Sequence, residues 1–240
     1  MSDAVVWHDL ECGSYAADLP LWLELADGAA GGRVLELGAG TGRVALELAR
    51  HGHRVSALDR DPELLRALRE RAAGAAPDRV ETACADARDF ALERTGFAVC
   101  LVPMQTLQLL GGADGRRACL ACARRHLSPG GLLACAIVTD VEPFDAHSGG
   151  PGPSAERGRV NGAAYVSRAT RVDVSETVVR IERERTIAAG EPARDIVELD
   201  RVSEAQLWRE GRAAGLTPAG TRTIAETRDH AGSAVVMFRA

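Results

Sequence analysis

Val34-Leu35-Glu36-Leu37-Gly38-Ala39-Gly40-Thr41-Gly42 is the stretch on which the fold turns. Its first residues are an apolar run of the kind that forms a buried strand, and the glycines follow at once. Glycine permits a tight turn and lets a ligand approach the main chain closely. The helix that opens next offers free N–H groups to an anion, and a carboxylate would serve there as well as a phosphate. A dinucleotide loop of the form G-x-G-x-x-G needs its third glycine at position 43. Position 43 is Arg and the third glycine is Gly42, so the spacing is E-x-G-x-G-x-G. That spacing argues against a nicotinamide oxidoreductase.

On either side of this loop, strands and helices alternate. Arg33–Leu37 predicts a first strand, followed by a helix through His51 with Val44, Ala45, Leu48 and Ala49 on one face and Gly52 as its stop. About Arg54–Leu58 predicts the second strand, and Asp61-Pro62 opens a second helix with Leu64, Leu65, Leu68 and Ala72 inward. Val80–Cys84 and Ala98–Val102 read as the third and fourth strands. A helix over about Asp114–Leu127 and the turn Ser128-Pro129-Gly130-Gly131 lead to a fifth, Leu132–Val138. The rhythm breaks over 139–202. Gly149-Gly150-Pro151-Gly152-Pro153 is a loop, and Ala163–Arg171 and Thr177–Thr186 alternate in period two, like a hairpin turning near Asp173–Glu176. Ser203 then starts a helix with Gln206 in capping-box position, Gly215 ends it, and about Ala219–Ile224 and Ser233–Phe238 close the chain as strands. The expected fold is a doubly wound, seven-stranded, mostly parallel sheet with helices on both faces, an antiparallel last strand and a β-rich insertion before the final helix. Residues 1–30 form a helical lead-in, 31–138 with 203–240 the body that carries the glycine loop, and 139–202 the insertion. Such sheets bind ligands beyond the carboxyl ends of their strands.

With Asp59 closing the second strand, Cys84-Ala85-Asp86-Ala87 after the third and Phe97–Met104 at the fourth, the loop resembles the first motif of class I, Rossmann-like S-adenosylmethionine-dependent methyltransferases. The likeness is good over 31–138 and looser at the end. It implies S-adenosylmethionine as cofactor, held at Glu36, Gly38, Ala39, Gly40 and Arg60, with Asp59 on the ribose and Asp86 and Ala87 on the adenine. Asp89 stands in reserve for Asp86, and Val102 lies at the methyl-transfer end. The Asn/Asp-Pro-Pro-Tyr/Phe signature of DNA amino-methylating members is replaced by Val102-Pro103-Met104-Gln105, which argues against a DNA base as acceptor. Gln105 is a candidate to orient the acceptor. Tyr15 is a candidate to cover the cofactor, and His8 and Glu11 are weaker ones. If the last two strands form a hairpin at the carboxyl-end face, Glu226-Thr227-Arg228-Asp229-His230 looks toward the pocket rim, and His230 is a candidate general base. The expected activity is methyl transfer to a small molecule through N or O. A non-methylating enzyme using the same cofactor, or a non-catalytic binding module, are the alternatives.

Composition narrows the rest. All 29 basic residues among the 240 are arginine, so lysine Schiff-base and phosphate-loop lysine chemistry are excluded. The abundance of Ala, Gly and Arg suits a GC-rich bacterial genome. A net charge of −5 without a basic run gives no attraction to nucleic acid or an acidic membrane. Cys119 and Cys122 form a lone C-x-x-C in a helical pattern and read as buried cysteines; Asp140 and Glu142 have no His or Cys at ligand spacing, so no metal is expected. The acidic start Met1-Ser2-Asp3 and the lack of a long apolar run point to a cytoplasmic enzyme without a membrane span.

Overall fold

The computed structural model describes residues 1–148, 153–227 and 230–240. The elements that build the main body are α1 (Asp3–Cys12), α2 (Leu19–Asp27), β1 (Val34–Leu37), α3 (Arg43–Arg50), β2 (Val55–Asp59), α4 (Pro62–Ala75), β3 (Val80–Cys84), β4 (Phe97–Val102), α5 (Gly112–His126) and β5 (Leu127–Ile137). Five strands follow: β6 (Phe144–Asp145), β7 (Glu156–Val160), β8 (Ala163–Val174), β9 (Val178–Ile187) and β10 (Ala193–Asp200). Then come α6 (Glu204–Ala213), β11 (Thr217–Ile224) and β12 (Ser233–Arg239).

The main sheet runs β11-β12-β5-β4-β1-β2-β3, and β12 alone is antiparallel to its neighbours. All four residues of β1 are buried, as a parallel strand covered on both faces requires. Alternate residues serve opposite faces. Leu35, Leu37, Cys100 and Val102 join the core under α5 and α6, while Val34, Val99 and Leu101 join the core under α2, α3 and α4. The expected doubly wound sheet with an antiparallel last strand is what the chain forms. Local signals do their part. The Asp61 carboxylate accepts from the N–H groups of Glu63 (2.8 Å) and Leu64 (3.3 Å) ahead of Pro62. Ser203 accepts from the Gln206 N–H at 3.2 Å, but the Gln206 amide reaches forward to Glu210 rather than back, so the capping box is half formed.

The insertion holds more than the expected hairpin. The β8–β9 pair turns at 175–177, but β10 adds to β9, and β6 and β7 both pair with β8, all antiparallel. Helix α1 seats this second sheet. The Trp7 and Tyr165 rings meet edge-on at 5.1 Å, the Tyr165 hydroxyl donates to Asp3 (2.7 Å), and Ser167 and Arg185 donate to Glu11 at 2.7 and 2.6–2.8 Å. The end of β10 is tied to the main body by a buried cluster. Arg116 on α5 donates to both carboxylate oxygens of Glu210 (2.8 and 2.7 Å) and to Asp200 (2.8 Å). Of the loop expected at 149–153, residues 149–152 lie outside the described residues.

Candidate active site

The glycine loop leaves β1 with Gly38, Gly40 and Gly42 at φ +73°, +53° and +96°, the left-handed region that favours glycine. A β-carbon on Gly38 would strike the Thr106 side chain, and one on Gly40 would strike the His8 ring. The loop is therefore bare main chain facing a cavity of about 350 Å³ at the carboxyl ends of β1 to β4. Asp59 is fixed at the end of β2. Its Oδ2 accepts from the Gly40 N–H (2.8 Å) and its Oδ1 from the Asp61 N–H (2.9 Å). Each oxygen keeps a lone pair for a ligand donor.

Glu36 is 2% exposed, lines the cavity, and its Oε2 has no hydrogen-bond partner among the described residues. Burial pushes its pKa up to about 8; Arg43 opposes that rise, and the negative charges of Asp59 and Asp18 add to it. Asp86 also lines the cavity, with its carboxylate held by the backbone N–H (2.8 Å) and guanidinium (2.6–3.1 Å) of Arg88, which pull its pKa down to about 2. Past β4, Met104 takes φ +53°, rare for a side-chain-bearing residue, and with Gln105, Thr106 and Leu109 it forms the opposite wall.

Of the residues anticipated from sequence, Glu36, Gly38, Ala39, Asp59, Arg60, Asp86, Ala87 and Gln105 thus share one cavity. Gly40, Val102, Tyr15 and His230 do not line it. Gly40 sits behind, its N–H spent on Asp59. The Val102 side chain is fully buried in the apolar core beneath the site, because β4 alternates and Val102 falls on the inner face. Tyr15 is buried between the Arg43 guanidinium, 5.2 Å over its ring, and the His230 ring, 4.7 Å away. His230 is on the hairpin at the carboxyl-end face, since Ala234 pairs with Ile137 at the end of β5. Its ring nevertheless packs at a tilt against Tyr15, and its backbone N–H donates to the Thr227 hydroxyl at 3.1 Å. Arg228 and Asp229 beside it lie outside the described residues. Asp89 is likewise not in the lining, and Glu11 is engaged by the second sheet.

Three contributors escaped the sequence reading or were underweighted in it. His8 and Cys12, one turn apart on α1, both line the cavity, and that i, i+4 spacing was the available signal. Burial pushes the Cys12 thiol up to about 11, so it is no thiolate nucleophile. Arg43, where a dinucleotide loop would have glycine, donates to Asp18 (2.5 and 2.7 Å) and to the Tyr15 carbonyl (2.8 Å), clamping the 13–18 segment to the start of α3.

Residues 34–131 match the family of methyltransferase domains. No curated protein matches the chain in sequence. Among solved structures, the CcbJ methyltransferase of Streptomyces caelestis is similar at 22% identity and TM-score 0.71, over 95% of this chain and 91% of that one. CalS10, an amino pentose methyltransferase of Micromonospora echinaspora solved with S-adenosylmethionine, is similar at 21% and 0.71, over 98% of each chain. The sugar N-methyltransferase KedS8 of Streptoalloteichus gives 17% and 0.74, over 98% and 92%. At such identities these likenesses speak for the fold. Among the described residues no helix is long and apolar enough to cross a membrane. Residues 34–131 therefore match a methyltransferase domain, and the fold around them is the one found in solved S-adenosylmethionine-dependent methyltransferases.

Proposed function

We propose that this enzyme methylates the nitrogen of a small amine, with an amino sugar as the best candidate. The carrying observation is the cavity, whose residues fit S-adenosylmethionine. The bare glycine loop admits close approach of a ligand. The two free lone pairs of Asp59 suit a ribose diol, and the orphaned Glu36 oxygen suits an ammonium. When bound, the cofactor supplies a methyl group on a positively charged sulfur. The chain's own contribution is placement. Asp59 fixes the sugar, Asp86 and Ala87 are placed for the base, and Met104 and Leu109 give an apolar wall.

The amine acceptor is supported by two structural neighbours, described as an amino pentose methyltransferase and a sugar N-methyltransferase, each spanning 98% of this chain. A neutral amine attacks without a base and releases its proton afterwards. Such an acceptor does not require His230 to act, and this suits a histidine packed on Tyr15 outside the cavity. Gln105, residues 1–30 and residues 139–202 are proposed to form the acceptor side. A small molecule rather than a nucleic acid fits the net charge of −5.

Two measurements check this. S-adenosylhomocysteine should raise the melting temperature and NAD should not; the reverse pattern would remove the cofactor assignment. An amino sugar incubated with enzyme and S-adenosylmethionine should gain one methyl on nitrogen by fragmentation mass spectrometry, while its hydroxyl analogue stays unchanged. Methylation of the hydroxyl analogue alone would remove the amine assignment.

A further inference from the structure

The wall of the cavity over Gly40 is closed by His8, and a chain of hydrogen bonds behind that ring decides which of its nitrogens carries the proton. Arg71 on α4 donates to both oxygens of Asp9, at 2.9 and 2.5 Å. Burial pushes the Asp9 carboxyl up, but the bonds from Arg71 and Thr41 outweigh it and hold its pKa below the ordinary value, so Asp9 is an acceptor only. The Thr41 hydroxyl has one proton and gives it to Asp9 Oδ1 at 2.7 Å. Its oxygen lies 3.2 Å from His8 Nδ1. With the Thr41 proton already spent, the Nδ1 atom must be the donor in that contact. A neutral His8 then has a bare lone pair on Nε2, the atom that lies against Gly40 and has no partner among the described residues. Gly40 is also the residue whose N–H holds Asp59. Charged groups face the ring from every side: Asp9 and Glu11 on α1, Asp59 at the end of β2 and Arg71 on α4. Burial is the largest influence among them and favours the neutral ring.

We propose that His8, locked with its proton on Nδ1 by the Arg71–Asp9–Thr41 chain, is a second hydrogen-bond acceptor for the ribose diol of the cofactor, beside Asp59. The proposal rests on the cofactor assignment made above. A diol carries two hydroxyl protons, and two acceptors on either side of Gly40 take one each. The device also discriminates, because a ligand presenting an acceptor in place of a hydroxyl meets a lone pair on Nε2 and is repelled.

The test combines calorimetric titration with nitrogen NMR. Wild-type enzyme and His8→Ala are each titrated with S-adenosylhomocysteine and with its 2′,3′-dideoxy analogue. His8→Ala should weaken binding of the hydroxylated ligand about five- to tenfold and leave binding of the dideoxy analogue unchanged. Equal losses for both ligands, or none, would overturn the role of His8 while leaving the cofactor assignment intact. Wild-type enzyme that binds neither ligand would overturn the cofactor assignment, and this proposal with it. The wild-type spectrum at neutral pH, with the His8 ring signals assigned by through-bond correlation to its own backbone, should show the proton on Nδ1 and a pyridine-like Nε2. A proton on Nε2 would overturn the proposal whether or not the variant folds.

Discussion

Glu36 is a buried carboxyl group, and its Oε2 has no hydrogen-bond partner among the described residues. Its pKa rises from the ordinary 4.5 to about 8, so the folded protein holds a proton there that the unfolded chain has released. Folding then takes up a proton between these values, and stability falls as pH rises through that window. Glu36→Gln, neutral at every pH, should flatten this decline in urea unfolding measured at a series of pH values. An unchanged slope would show that Glu36 ionises normally in the free enzyme. Glu36 and Asp59 were legible in the sequence because each closes, or nearly closes, a strand beside a turn whose residue types are distinctive. His8 and Arg43 owe their places to partners 25 to 62 residues away, such as Asp18 for Arg43 and the Asp9–Arg71 pair behind His8. Local pattern carries no record of that.

Among the elements, the parallel strands were readable because burial on both faces demands continuous apolar runs. Strands β7 and β10 were not. Ala193–Asp200 alternates weakly and is rich in charge, and its pairing rests partly on ion pairs with β9, Arg194 to Glu182 (2.6 Å) and Asp195 to Arg185 (2.8 Å). The third glycine of the loop joins two elements. Gly42 stands at the start of α3 with φ +96°, and a β-carbon there would press into Leu68 of α4. Gly42→Ala should cost about 1–3 kcal/mol from backbone strain, with the Leu68 clash added. Gly52→Ala has nearly the same φ, +95°, but open space around it, so only the backbone part should appear. Thermal melts of the two variants check this, and equal losses would mean that α3 and α4 give way to the added methyl without cost.

Across the whole molecule, Arg116 is, with Gln108, among the residues that tie the end of β10 to the main body. The Arg116 side chain is 3% exposed and serves Glu210 on α6 and Asp200 at the end of β10. Removing one partner of a buried ion pair strands the others, at about 3–5 kcal/mol. Arg116→Met should therefore lower stability by that amount in urea titration, and a loss below about 1 kcal/mol would mean that water reaches the two carboxylates. The sequence placed the final helix and strands correctly, yet it gave no hint of this cluster, because Arg116 and Glu210 are 94 residues apart and each looks like an ordinary helix-surface charge.

Helix α1 has a consequence for how the protein comes into being. It is synthesised before its anchors, which are Arg71 and, far later, Tyr165, Ser167 and Arg185. Until β8 and β9 are made, the helix has Arg71 but not the second sheet to settle on. The glycine loop, Asp59 and Asp86 can be in place while the wall formed by His8 and Cys12 is still missing. A nascent chain halted before residue 165 should therefore hold S-adenosylhomocysteine poorly, and affinity should appear only once the second sheet has emerged to receive the helix.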